Sequence, residues 1–120
     1  MKILAVTIGI LALALTACRT DPNIPSSPKV LFHSDIQPLL TGSCGQLDCH
    51  AKNGSKFSLI GYDDVISHGG VKAGDARASK LYQVISNRSS NQMPPKPAEL
   101  MDTRSIKLIY VWIEQGAKNN

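Results

Sequence analysis

Residues 44–50 of the 120-residue chain read CGQLDCH and hold two of its three cysteines and one of its three histidines. A domain this short buries only about 60% of its unfolded surface, so a hydrophobic core alone leaves it marginally stable. Two Phe, three Tyr and one Trp add little aromatic bulk to that core. The segment 44–50 is the only candidate for a reinforcing staple, and the fold is therefore expected to form around it.

The first eighteen residues are typical of an exported chain. Lys2 supplies a positive charge, an almost unbroken apolar run covers residues 3–15, and residues 15–18 read LTAC. This pattern indicates a secretory signal peptide, because the run is shorter than the roughly 20 residues that span a bilayer. The Leu-x-Ala-Cys ending resembles the lipobox of bacterial lipoproteins. It predicts a signal peptide over residues 1–17 and lipid on Cys18, with an ordinary signal peptide as the alternative.

A proline-rich segment follows the predicted lipid anchor. Residues 19–29 read RTDPNIPSSPK and offer little that could enter a core, which predicts a semi-extended tether. We therefore expect the lipidated cysteine and its tether over residues 18–30 and one domain over residues 31–120, held on a membrane in the periplasm or cell envelope. The formal net charge of +4 includes no run of Lys or Arg, so nothing indicates nucleic-acid binding.

The domain is predicted to be all-α with long loops. Residues 34–37 (SDIQ) fit a capping box that opens a short helix ending near Gly42, and a second helix is predicted over about 76–86. A third, stronger helix is expected between an Asp102 cap and Gly116, because apolar residues recur there at helical spacing. The loops between the helices are rich in glycine and proline, and no convincing alternating strand is present.

The cysteine spacing favours covalent haem. Cys-x-x-Cys-His is the usual haem c attachment signature, in which both sulfurs form thioethers with porphyrin vinyl groups and the histidine ligates iron. Four residues separate Cys44 and Cys49 here, and helical positions five apart lie about 140° apart around the axis. The segment must therefore leave a regular helix for both sulfurs to reach one porphyrin edge, and Gly45 makes this easier. His50 keeps its usual place beside the second cysteine.

With these features the chain resembles the small class I cytochrome c domains of bacteria, in particular a lipoprotein variety with a Cys-x4-Cys-His attachment site. The resemblance covers about residues 32–117. It rests on a set of short matches in a fixed order, namely DIQPLL (35–40), CGQLDCH (44–50), GD (74–75), LY (81–82), MPP (93–95) and IYVWIEQGA (109–117). The widened cysteine gap is the departure from the family pattern, and it bears most on the thioether at Cys44.

The resemblance implies a specific cofactor site. One haem c would be attached through Cys44 and Cys49, with His50 as the proximal and Met93 as the distal iron ligand. The N- and C-terminal helices would pack together around this covalently attached haem.

Met93 is also the best distal ligand on physical grounds. A thioether ligand must be held towards the iron, and Pro94 favours an extended backbone at Met93. Met101 has a structural role instead, as a hydrophobic staple before the last helix. His33 and His68 remain alternatives as the sixth ligand, and a bis-histidine site would lower the redox potential relative to His/Met ligation. His68 is expected in a loop that could approach a cofactor.

Two other uses of the cysteines compete with haem. A disulfide between Cys44 and Cys49 suits an exported chain, but it closes a short loop with little gain and leaves His50 unexplained. Zinc would have three ligands at poor spacing. The adjacent pair Asp63–Asp64 is better explained as a helix start or turn than as an acid–base pair, and no catalytic constellation is present.

The leading functional hypothesis is single-electron transfer by one low-spin haem in a protein that is not an enzyme. Redox proteins would be its partners, no small-molecule substrate would be required, and the lipid would hold it on the membrane. The alternatives are a disulfide-stapled structural lipoprotein and a haem sensor or peroxidase-like domain with an open distal position.

Overall fold

The computed structural model describes residues 23–46 and 48–120. The predicted signal peptide (1–17), the lipidated Cys18 and the first residues of the tether lie outside these ranges. Within them the chain forms four α-helices and no strand, so the predicted all-α class is confirmed. The helices are α1 (Gln37–Cys44), α2 (Tyr62–His68), α3 (Lys80–Ile85) and α4 (Thr103–Glu114). No helix in the described ranges combines the length and apolar character that a membrane span needs.

A π-helical turn, Phe32–Ile36, leads directly into α1. The predicted capping box is wrong, because Ser34 lies inside this turn and its hydroxyl donates to the neighbouring Asp35 carboxylate at 3.2 Å. The side chain that bonds to the preceding backbone is that of Asp35, whose Oδ2 accepts a hydrogen bond from the Leu31 N–H at 2.7 Å. The helix also runs past the predicted end at Gly42 and reaches Cys44.

The C-terminal helix α4 forms as predicted. Asp102 Oδ1 accepts hydrogen bonds from the backbone N–H groups of Arg104 (2.9 Å) and Ser105 (3.0 Å). Hydrogen bonding to the carboxylate, above all from the Ser105 hydroxyl, lowers the pKa of Asp102. Gly116 adopts a left-handed backbone with φ of +101°, which ends the helix as glycine commonly does.

The helix α2 was not predicted as an element. Asp63 and Asp64 do occupy its first turn, in agreement with the expected helix start. His68 is the last residue of this helix, so its predicted place in a loop is wrong.

The helix α3 is shorter than predicted, because a long-range bond engages the residues before it. The Ala76 N–H donates to the carboxylate of the buried Glu114 at 2.8 Å, which holds residue 76 outside any helix. Ser79, which precedes the helix, accepts from the Lys72 N–H at 2.8 Å and donates to the Asp75 carbonyl at 2.8 Å. These bonds build a compact loop where the sequence pattern indicated a first helical turn.

The core lies between the π-helical turn, α1 and α4, so the N- and C-terminal helices are in contact as expected. Phe32 is fully buried, with its ring 5.5 Å from that of Trp112 and 5.2 Å, edge-on, from that of Tyr62. Each fully buried side chain of this size stabilises the fold by about 1.5–3 kcal/mol. Other fully buried members of this core are Ile36, Leu40, Ile109 and Ile113.

The end of the predicted tether is held against the domain by Gln115. Its Nε2 donates to the carbonyl oxygens of Pro25 (2.9 Å) and Pro28 (3.1 Å), and its Oε1 accepts from the Val30 N–H at 2.8 Å. Val30 is itself buried. The last residues of the 18–30 segment therefore pack on the C-terminal end of α4.

Candidate cofactor site

A cavity of about 690 Å³ lies between the segment after α1, the helix α3 and the loop over residues 90–96. Its lining includes Cys44, His50 and Met93, three of the four residues expected to bind haem, and the alternative ligand His68. The fourth, Cys49, lines an adjoining recess of about 100 Å³ together with Cys44, His50 and Met93. The volume falls within the range of about 300–1,000 Å³ that ligand pockets commonly have.

The segment between the cysteines leaves the helix at Gly45. This residue has φ of −80°, so its importance is spatial: a Cβ there would lie 2.6 Å from the Thr41 carbonyl oxygen. The chain then turns back, and the His50 N–H donates to the Cys44 carbonyl oxygen at 2.9 Å. This closed turn brings both cysteines to one recess, although α1 is regular up to Cys44. Leu47, between them, lies outside the described residues.

Both cysteines carry free thiols. Cys44 is buried, and Cys49 is partly exposed. Burial, with a smaller contribution from the neighbouring Cys49, raises the pKa of the Cys44 thiol to about 11. Cys44 is therefore protonated at neutral pH and is the less reactive sulfur of the two in isolation.

His50 is oriented by a neighbouring loop. Its Nδ1 lies 2.8 Å from the Phe57 carbonyl oxygen and donates to it, which leaves Nε2 as the ring nitrogen with a free lone pair. Its own carbonyl accepts from the Leu59 N–H at 3.0 Å, and the Phe57 ring lies 4.5 Å from the imidazole. Metal-ligating histidines usually donate a hydrogen bond from the ring nitrogen that does not bind the metal. That bond fixes the tautomer and the direction of the ring, as the bond to Phe57 does here.

Met93 lies on the loop after α3 and lines both the cavity and the recess together with His50. Its backbone N–H donates to the Val84 carbonyl oxygen at 2.9 Å, which ties this loop to α3. The rival Met101 is buried in the core and does not line the cavity. His33 is also away from the cavity, where its Nδ1 lies 3.2 Å from Gln37 Oε1.

His68 lies at the edge of the same cavity. Its ring is 5.3 Å from that of Phe57, and its Nδ1 lies 3.3 Å from the Ser58 carbonyl oxygen and 3.8 Å from Asp64 Oδ1. The structure thus brings His50, Met93 and His68 around one cavity and leaves the other two candidates outside it.

No pattern in the sequence indicated that Phe57 belongs to the site. Its carbonyl orients His50 and its ring packs between His50 and His68, yet a backbone acceptor has no sequence signature. On α3, Leu81, Val84 and Ile85 form much of the apolar wall of the cavity. Leu59 completes that wall.

The charged or basic side chains that line the large cavity are all lysines and histidines among the described residues. Three lysines and two histidines line it, and among the described residues no acidic side chain does. Asp48 lines only the recess beside the cysteines. The cavity therefore suits a largely apolar ligand that carries negative groups.

The sequence matches no protein-family model, no curated protein and no solved structure. Within the described residues, no group of three or more His, Cys, Asp or Glu side chains is arranged to hold a metal ion.

Proposed function

We propose that the protein is a membrane-tethered monohaem c-type cytochrome that carries single electrons in the periplasm or cell envelope, with the fold of a small class I cytochrome c domain. One observation carries the proposal. Met93, which is distant from the cysteine segment in sequence, lines the same cavity as Cys44 and His50, and Cys49 lines the recess that adjoins it.

The residues fit a covalently bound haem in three respects. His50 has a free Nε2, because its other nitrogen donates to the Phe57 carbonyl. Met93 offers a thioether on the same cavity, and both thiols are unpaired and available for attachment. The absence of acidic side chains from the described lining of the large cavity suits a porphyrin, which carries two carboxylates.

When bound, haem supplies a one-electron couple between Fe(II) and Fe(III). The two cysteines would hold the group covalently, so it would be retained in both oxidation states. His50 and Met93 would both bind the iron, which would leave no position for a substrate and suits a carrier better than a sensor or an enzyme. Buried apolar residues of the wall, such as Leu81 and Ile85, keep water from the centre and help to set its potential. Redox proteins would then be the partners.

The direct test is to produce the mature protein in a host that attaches haem c. We expect a pyridine haemochrome spectrum and an intact mass that corresponds to one covalently bound haem, with no binding of carbon monoxide by the reduced protein. A colourless product whose Cys44 and Cys49 are joined and can be freed by a mild reductant would show the disulfide-stapled alternative instead. Carbon monoxide binding would indicate the open-site sensor or peroxidase-like alternative.

The membrane anchor is tested separately. We expect Cys18→Ser to move the protein from the membrane to the soluble fraction, because this variant lacks the thiol that would carry the anchoring lipid. Cys44→Ser is the matched control and should stay in the membrane fraction. Equal distribution of both variants would contradict lipidation at Cys18.

A further inference from the structure

We propose that Lys80 and Lys96 bind the propionate carboxylates of the haem and so determine which way round the group sits in the cavity. This inference rests on the proposed function and assigns a role to the part of the large cavity that lies outside the cysteine recess.

The two ends of the cavity differ in their lining. The recess contains both cysteines and Lys56, whereas Lys80 and Lys96 line the large cavity but not the recess. In a protoporphyrin the vinyl groups that react with cysteine lie along one edge, and the two propionates lie on the opposite side of the ring. If Cys44 and Cys49 hold the vinyl edge in the recess, the carboxylates extend into the rest of the large cavity, which Lys80 and Lys96 line.

Lys80 is held rigidly at this end. Its backbone N–H donates to the Gly70 carbonyl oxygen at 3.1 Å, and the next residue, Leu81, donates to the Gly69 carbonyl oxygen at 2.8 Å. The approach is so close that a Cβ at Gly70 would lie 3.0 Å from the Lys80 Cβ. The side chain therefore starts from a fixed point on the cavity wall, which reduces the entropy lost when its ammonium group is paired.

Both ammonium groups are available for a ligand. Within the described part of the chain, neither Lys80 nor Lys96 has an ion-pair partner. Among the described residues, Asp64 is near His68 instead, with the His68 Nδ1 3.8 Å from the Asp64 Oδ1. Two unpaired cations beside an apolar cavity are placed to form charge-assisted hydrogen bonds with carboxylates, which are stronger than neutral ones.

The pairing can be tested on the haem-bearing mature protein by zero-length cross-linking. A water-soluble carbodiimide activates a propionate carboxylate, the neighbouring lysine amine forms an amide with it, and the reagent leaves as the corresponding urea. After digestion, mass spectrometry identifies which lysine peptide is joined to haem. We expect cross-links at Lys80 or Lys96 to exceed any at Lys56 by at least about tenfold. Lys56 is the matched control, because it lines the same cavity at the cysteine end.

Three further variants make the assignment independent of any folding defect. Lys80→Arg keeps the charge but cannot form the amide, so the haem peptide cross-linked at that position should vanish. Replacing Lys80 and Lys96 together by Gln should shift the propionate bending band in the resonance Raman spectrum, and Lys56→Gln should not.

The outcomes separate this inference from the proposed function. A haem-bearing protein that cross-links at Lys56, or at none of the three lysines, overturns the assignment of the propionate end and leaves the cytochrome proposal standing. A protein without covalent haem overturns both.

Discussion

Two glycines near the end of α1 differ in what surrounds them. A Cβ added at Gly42 would have no atom within 4 Å, whereas one at Gly45 would lie 2.6 Å from the Thr41 carbonyl oxygen. Gly42→Ala should therefore stabilise the protein by about 0.5–1 kcal/mol through helix propensity. Gly45→Ala should destabilise it by about 1–3 kcal/mol, because backbone must move. Urea unfolding of both variants measures the difference, and equal effects would contradict the turn described at Gly45.

The two methionines offer a matched pair at the same scale. Met93 lines the cavity, whereas Met101 is buried in the core. Met93→Ala should abolish the sulfur-to-iron charge-transfer band of the oxidised protein with little loss of stability. Met101→Ala should retain the band and lower the free energy of unfolding by about 2–5 kcal/mol. The reverse pattern would make Met101 the distal ligand. Absence of the band from the wild type, with a haem spectrum that changes in His68→Ala but not in Met93→Ala, would favour bis-histidine ligation.

At the scale of elements, the cap of α4 links stability to pH. The folded state lowers the pKa of Asp102 from its ordinary value of 3.8, chiefly through the hydrogen bond from the Ser105 hydroxyl. The charged cap therefore stabilises the fold above that ordinary value, and its contribution is lost as the pH falls through the lowered pKa. Asp102→Asn keeps an acceptor but does not titrate. Wild type should melt higher than Asp102→Asn at neutral pH, and the gap should close on acidification; a constant gap would contradict the role of the charge.

The contact between the tether and α4 gives a second prediction for elements. In Gln115→Glu the side chain can no longer donate to the Pro25 and Pro28 carbonyls, and it places a negative charge beside them. The Val30 amide should then exchange with solvent about fivefold faster, since a hydrogen bond contributes about 1 kcal/mol. Gln83→Glu makes the same charge change at another side chain whose Nε2 donates to a carbonyl, that of Arg77. Equal exchange in both variants would contradict a docked tether.

At the scale of the whole molecule, one hydrophobic core supports the cavity wall. The π-helical turn contacts both α1 and α4, and α3 packs on α4 while it also lines the cavity together with residues 90–96. If haem fills that cavity, the double variant Cys44→Ala/Cys49→Ala should lose amide protection first in α3 and residues 90–96. The α4 amides, buried around Trp112, should stay protected. Hydrogen exchange with mass spectrometry tests this, and uniform loss across α4 would show that the core itself depends on the ligand.

The elements that the sequence predicted well are those whose signals are local. The last helix has its cap, its apolar repeat and its glycine stop within fifteen or so residues of one another, and the structure agrees with all three. The first helix start was wrong, because Ser34 and Asp35 are equally plausible caps until the π-helical turn decides between them. The start of α3 was wrong because the Ala76 N–H bonds to Glu114, 38 positions along the chain.

The candidate cofactor site also contains some residues that a local sequence pattern predicts and others that only the fold brings together. The order of Cys44, Cys49 and His50 is a local pattern, and the chemistry of thiols and imidazole follows from it without any coordinates. Only the tertiary structure brings Met93 and His68 to the same cavity, excludes Met101 and His33 from its lining, and supplies the Phe57 carbonyl that orients His50. Chain neighbours are fixed by covalent bonds, whereas contacts between distant segments depend on how the whole core packs, which no short stretch of sequence encodes.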